Sequence, residues 1–119
     1  MQFFRPEEFR CNCGKCQLGF PDMKHTFLLR LDDARRIAGI PFTVTSSIRC
    51  PEWNAKVGGL DSSAHLAGWA ADIAATAGPA RWKIAMAAQR AGFNRLGIAH
   101  TFIHMDCDPN KPSHVIWTY

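Results

Sequence analysis

A chain of 119 residues suffices for one domain with a modest core and no need of covalent staples. Its 47% hydrophobic and 20% charged residues are globular values and exclude a disordered or low-complexity chain. The net charge of +4 and pI near 9.0 fit a protein that meets an anionic polymer, without choosing between cell wall and nucleic acid.

No apolar run reaches membrane-spanning length, and Met1-Gln2-Phe3-Phe4-Arg5-Pro6 lacks the apolar core of a signal peptide. The expectation is synthesis in a cytoplasm, with any export through outside help. Residues 1–22 carry Pro6, Gly14, Gly19 and Pro21 and read as an extended arm with turns, with Pro6-Glu7-Glu8-Phe9 suited to one helical turn. Five cysteines are an odd count, and without an export signal reduced thiols are the default. Cys11, Cys13 and Cys16 form a tight cluster that could hold a structural metal, completed by His25 or Cys50. Reduced thiols in a surface loop are the preferred reading there, because no second Cys-x-x-Cys knuckle is present.

Met23, Phe27, Leu28, Leu31, Ala34 and Ile37 recur at helical spacing, which predicts a helix from Asp22, as N-cap, to Ala38 before Gly39. Phe42–Ser46 is rich in β-formers and predicts a strand. Pro51–Val57 predicts a short helix ended by Gly58-Gly59, and Gly78-Pro79 opens a second long helix through Arg90. Arg95–Ala99, Phe102–Cys107 and His114–Tyr119 predict three further strands. The class is α+β, a small antiparallel sheet covered by two main helices, with no internal repeat or linker.

The chemistry concentrates in Ser62–Asp72, where His65 and Asp72 stand seven apart. Gly68 and Trp69 argue against one continuous helix. The expectation is a loop carrying His65, a turn at Gly68, and a strand Trp69–Ile73 presenting Asp72. Imidazole and carboxylate together suit a divalent ion, zinc most of all, and a third ligand must come from elsewhere. His104 is the other histidine within a strand-like run; alternation puts Phe102, His104 and Asp106 on one face and Ile103, Met105 and Cys107 in the core. Two histidines and one aspartate leave a fourth position open, as in catalytic zinc sites. Trp53, Trp69 and Trp117 suit an aromatic wall for a peptide or sugar as well as core packing, and Trp69, flanked by ligands, has the best claim on substrate. His25, His100 and His114 are assigned no special role.

Thr45-Ser46-Ser47-Ile48-Arg49-Cys50-Pro51, Asn54, Gly58-Gly59, Ser63-x-His65-x-x-Gly68-x-Ala70-x-Asp72 and Phe102-Ile103-His104-x-Asp106 resemble zinc D-alanyl-D-alanine peptidases. These form the peptidase M15 family, and the resemblance is particularly to its small phage-type members, which share a fold with the hedgehog signalling domain. The resemblance runs from about Phe9 to Trp117, and the Ser-x-His-x-x-Gly-x-Ala-x-Asp string is its specific part. It implies a single zinc peptidase domain over residues 1–119, with His65, Asp72 and His104 as zinc ligands and Arg49 and Ser63 in contact with the substrate peptide. An arginine suits that task because its planar fork donates two parallel bonds to a carboxylate.

One departure stands out. Several family members carry a catalytic acid three residues before the last histidine ligand, where this chain has Thr101. Asp106 is the replacement put forward as general base, ahead of His100 or an acid of the 52–61 loop; its other reading is orientation of a ligand. The function so implied is zinc-dependent hydrolysis of the peptidoglycan stem peptide, as a D,D-carboxypeptidase or an L-alanyl-D-glutamate-type endopeptidase. The implied setting is a phage or prophage endolysin, a monomer that acts on the cell wall after release, with neither nucleic acid nor membrane as partner. The alternative is a catalytically inactive hedgehog-like zinc-binding module, which Thr101 keeps open. A small nucleic-acid-binding zinc protein is disfavoured, since the basic residues are scattered.

Overall fold

A computed structural model describes residues 1–119. Its elements are α1 (His25–Ala38), β1 (Val44–Ser46), α2 (Pro51–Lys56), β2 (Ala70–Ala74), α3 (Gly78–Arg90), β3 (Arg95–Ile98), β4 (Phe102–Asp106) and β5 (Val115–Thr118). Single 3₁₀ turns at Pro6–Phe9, Phe20–Asp22 and Ala64–Ala67 shape the chain between and before them. The class is α+β, as the sequence indicates.

The strands form one sheet in the order β1-β2-β4-β3-β5. All neighbours are antiparallel except β5, which runs parallel to β3 and makes the small, mainly antiparallel sheet a mixed one. The reason lies in the link after β4. That strand ends at Asp106 opposite Arg95, where β3 begins, and a short connection starts β5 at the same end, with Val115 beside Arg95. β5 is thereby antiparallel to β4 and parallel to the strand between them.

Helix α1 begins at His25, three residues later than Asp22 as predicted cap. The Asp22 carboxylate instead accepts the Gly19 amide at 2.9 Å and closes the preceding turn. Phe27, Leu28, Leu31, Ala34 and Ala38 form its buried stripe, and Gly39 ends it in the left-handed conformation. α1 packs on α3, with the rings of Phe27 and Phe93 5.4 Å apart, and the helices belong to the same core as one face of the sheet. Ala71, Ile73, Leu96, Ile103 and Met105 fill that face. Burying each of the larger ones stabilises the fold by about 1.5–3 kcal/mol. Cys107 joins them, and burial pushes its thiol pKa up, consistent with an inert core residue.

The N-terminal arm is part of this core. Phe4, Phe9 and Cys11 are buried in it, the Ser47 hydroxyl donates to the Phe9 carbonyl at 3.0 Å, and the Asn12 amide donates to the Thr45 carbonyl at 2.8 Å. Gly68 fixes how the next segment meets it. Its φ is +79°, and a Cβ there would stand 2.4 Å from the Asp22 carbonyl oxygen. Gly68→Ala is therefore expected to cost at least about 1–2 kcal/mol through left-handed strain, with the clash added. A lowered denaturant midpoint checks this; an unchanged one would mean that the backbone at 68 relaxes freely.

The sheet face opposite the core carries Asp72, His104, Asp106, Arg95 and Trp117, and these line a cleft of about 590 Å³. Strand alternation alone puts them there.

Candidate metal centre

His65 rides on the 3₁₀ turn Ala64–Ala67, whose start is capped by the Ser63 hydroxyl accepting the His65 amide at 3.2 Å. Gly68 then releases the chain into β2. Asp72 lies at the middle of β2, and His104 faces it directly in the β2–β4 ladder. All three side chains are buried, and His65 is only 1% exposed. Their candidate ligand atoms lie within 4.8 Å of one another.

The nitrogens facing away from this point are already engaged. His65 Nδ1 is 2.7 Å from the Ser47 carbonyl oxygen, which can only accept, so the proton sits on Nδ1. His104 Nε2 is 2.6 Å from Asp106 Oδ2, a carboxylate oxygen that accepts a hydrogen bond from Nε2–H. A neutral ring held in this way turns its lone pair inward. His65 Nε2 and His104 Nδ1 stand 3.2 Å and 2.9 Å from the same oxygen, Asp72 Oδ1. Lone pairs facing a carboxylate oxygen require a cation between them, either protons or a metal ion. Burial pushes the His65 pKa down against the pull of Asp72, which disfavours a proton there. Burial would also lower His104, but hydrogen bonds to Asp106 and Asp72 outweigh it and raise its pKa. For Asp72, burial would raise the carboxyl, yet His104 and His65 hold it well below the usual carboxylate range. The donor set fits zinc: two imidazoles oriented by outer partners, one ionised carboxylate, and one side left to the cleft.

A family model described as Peptidase M15 matches residues 2–106. The chain belongs to the peptidase M15 family. The match takes in His65, Asp72, His104, Arg49, Ser63 and Asp106, and ends before β5. A search of the curated proteins returned no match. No helix of this M15 family chain is long and apolar enough to cross a membrane.

Arg49 lies on the metal group as well as on the cleft. Its side chain is 14% exposed, and one terminal nitrogen is 3.3 Å from Asp72 Oδ2. Nε donates to the Ser46 hydroxyl at 3.0 Å and the other terminal nitrogen to Asn54 Oδ1 at 3.2 Å. Burial lowers the guanidinium pKa and Asp72 opposes the shift. Asn54 received no role from sequence reasoning, yet it is buried and its amide also donates to the Leu60 carbonyl at 2.8 Å. Gly59 packs so closely on it that a Cβ would lie 2.7 Å from Asn54 Cγ, which explains the second glycine of the pair after α2. Ser63 lines the cleft.

The geometry bears on two further expectations. Asp106, put forward as general base, is 1% exposed and has both oxygens committed. Oδ2 meets His104, while Oδ1 accepts the Asp108 amide at 3.2 Å and lies 2.9 Å from Arg95 Nε. That Arg95 N–H is not aimed at the oxygen, so the contact is an ion pair without an aligned hydrogen bond. A strand neighbour two residues on reaches the far nitrogen of His104, which places Asp106 to orient this imidazole. Trp69, proposed for substrate contact, does not line the cleft and packs half-buried against the core. It immediately precedes β2 and stands an odd number of residues from Asp72, so alternation turns it to the opposite face.

Trp117 takes the position expected of an aromatic wall. Its ring centroid is 5.3 Å from that of His104, and Arg95 stacks over it at 5.1 Å. Gly97 makes room, since a Cβ there would stand 2.6 Å from the indole nitrogen. A glycine inside a strand pattern is the signal for such a close approach. Lys111 and Tyr119 also line the cleft. His100, Glu52 and Asp61, the other candidates for a base, do not line it.

Proposed function

We propose that this M15 family chain is a zinc-dependent peptidase that hydrolyses peptide bonds of the peptidoglycan stem peptide. The observation that supports it is the pair of buried imidazoles, each fixed from behind, whose inner lone pairs meet at Asp72 beside an open cleft. His65, Asp72 and His104 would hold the ion. When bound, zinc supplies Lewis-acid polarisation of a scissile carbonyl and lowers the pKa of a coordinated water to about 7. Arg49 and Lys111 give the cleft cationic groups suited to substrate carboxylates, Ser63 offers a hydroxyl to the peptide, and Trp117 offers a flat apolar surface. The setting we propose is an endolysin of a phage or prophage, monomeric, acting on the wall after release, with neither nucleic acid nor membrane as partner.

A second reading has its own support. Asp72 and Asp106 are the only carboxylates that line the cleft, and both are committed to histidines and arginines. This favours a metal-binding module without catalysis, as in hedgehog-like domains. Incubation of the zinc-loaded protein with purified peptidoglycan, followed by mass analysis of the released fragments, separates the readings. Free D-alanine would identify a D,D-carboxypeptidase, and new amino termini on D-glutamate an endopeptidase. No release from a fully zinc-loaded protein would favour the module.

If Arg49 grips a substrate carboxylate while holding Asp72, Arg49→Lys should lower kcat/KM by roughly tenfold or more. That loss corresponds to the ~1.5–3 kcal/mol of a charge-assisted bond that a lysine cannot make with two prongs. Wild-type kinetics in this variant would return Arg49 to a purely structural role.

A further inference from the structure

Cys11, Cys13, Cys16 and Cys50 bring four sulfurs together outside the histidine site, each within 4.8 Å of the others. No disulfide joins any of them. Tetrahedral zinc with Zn–S of about 2.3 Å sets its sulfurs about 3.8 Å apart, so closing on an ion needs no sulfur pair to approach by more than about 1 Å.

The backbone around the cluster is arranged for thiolates. Cys13-Gly14-Lys15-Cys16 forms a tight knuckle with Gly14 in the left-handed region at φ +69°. The amides of Lys15 and Cys16 both point at Cys13 Sγ, at 3.2 and 3.3 Å. The Cys50 amide donates to Cys11 Sγ at 3.4 Å, and the Trp53 amide to Cys50 Sγ at 3.4 Å. Neutral thiols are weak acceptors, whereas a thiolate bound to a cation gains from every amide aimed at it. Cys50 comes from the far side of α1 and β1, so the set assembles only when the arm is docked.

We propose that Cys11, Cys13, Cys16 and Cys50 form a second, structural metal site for a soft divalent ion, zinc by preference, that clamps the N-terminal arm to the turn before α2. Four sulfur donors select zinc or iron over harder ions, and four protein ligands leave no open position, so the site stabilises and does not catalyse. Each ligating thiol gives its proton to solvent as the ion binds. His25, the other candidate for the fourth ligand, is not part of the group. The sequence alone favours free surface thiols; what argues for a metal instead is that the fourth sulfur arrives from outside the knuckle. The clamp also bears on the cleft: Cys50 follows Arg49, whose amide donates to the His65 carbonyl at 3.1 Å and whose guanidinium holds Asp72.

The test uses the full chain, reduced and loaded with zinc or with cobalt as a spectroscopic probe. Elemental analysis should find two zinc ions per wild-type chain and one in the His65→Ala/His104→Ala variant. With cobalt, that variant should show intense sulfur-to-metal charge-transfer absorption, and Cys13→Ser/Cys16→Ser should show none. Thiol titration should find the cysteines slowed by zinc and released by a chelator. Absence of the charge-transfer band in His65→Ala/His104→Ala would overturn the site, as would thiols equally reactive with and without zinc. Should the cysteine variant fail to fold, the cobalt spectrum of the histidine variant still decides. Failure of the peptidase reading is a separate result, seen as missing hydrolysis with the cysteine site filled.

Discussion

Asp72→Ala should release the metal ion from the His65–Asp72–His104 group and abolish hydrolysis altogether. No other side chain touches so many parts of the site: one oxygen is shared by both imidazoles and the other pairs with Arg49. Its removal leaves a nearly buried guanidinium without its carboxylate. Breaking a buried pair from one side costs about 3–5 kcal/mol, so a fall in stability should accompany metal loss. Asp72→Asn separates the effects, because it keeps the shape and removes the charge. In metal-free protein the pH dependence follows from the depressed carboxyl. Its contribution is complete above the unfolded value of about 3.9 and disappears as pH falls through the lower folded value. The stability gap between wild type and Asp72→Asn should therefore be full at neutral pH and close in acid below that value. Elemental analysis and denaturant titration check both parts. Full metal occupancy of the histidine site in Asp72→Ala would remove Asp72 from the ligand set.

Most of this site could be read from periodicity, because strand alternation is geometric and does not depend on context. It put His104 and Asp106 on one face of β4 and Ile103 and Met105 in the core, as the structure has them. Gly68 announced the turn between His65 and Asp72, and the same reasoning bounded α3 at Gly78 and Arg90. What escaped depends on tertiary placement. Trp69 was credited for standing between ligands in sequence, yet neighbours in a strand point to opposite faces. The direction of β5 follows from the end of the sheet at which a short link delivers the chain. Cys50 joins the arm cysteines only through docking of the arm, which no local spacing encodes. The partner of Asp106 depends on which way the His104 ring is turned, and that is set from across the sheet by Asp72.

Asp106→Asn turns this last point into a measurement. As the residue that accepts the His104 Nε2 proton, Asp106 keeps the opposite nitrogen aimed at Asp72 and raises its basicity as a ligand. Asparagine retains an acceptor oxygen but loses the charge, and it leaves Arg95 without its ion-pair partner. The expected result is a zinc affinity lower by about 10–100-fold at the histidine site. Turnover should fall in step at limiting zinc and recover most of its value when zinc is saturating. A general base would behave in the opposite way, with zinc retained and turnover cut by ~10²–10⁴-fold at any zinc concentration. Titrating zinc into one preparation while following both binding and hydrolysis distinguishes the two. Undiminished zinc affinity with collapsed turnover would return Asp106 to the chemistry itself. It would also require the carboxylate to leave His104, since in the arrangement seen here neither oxygen is free to take a proton from water.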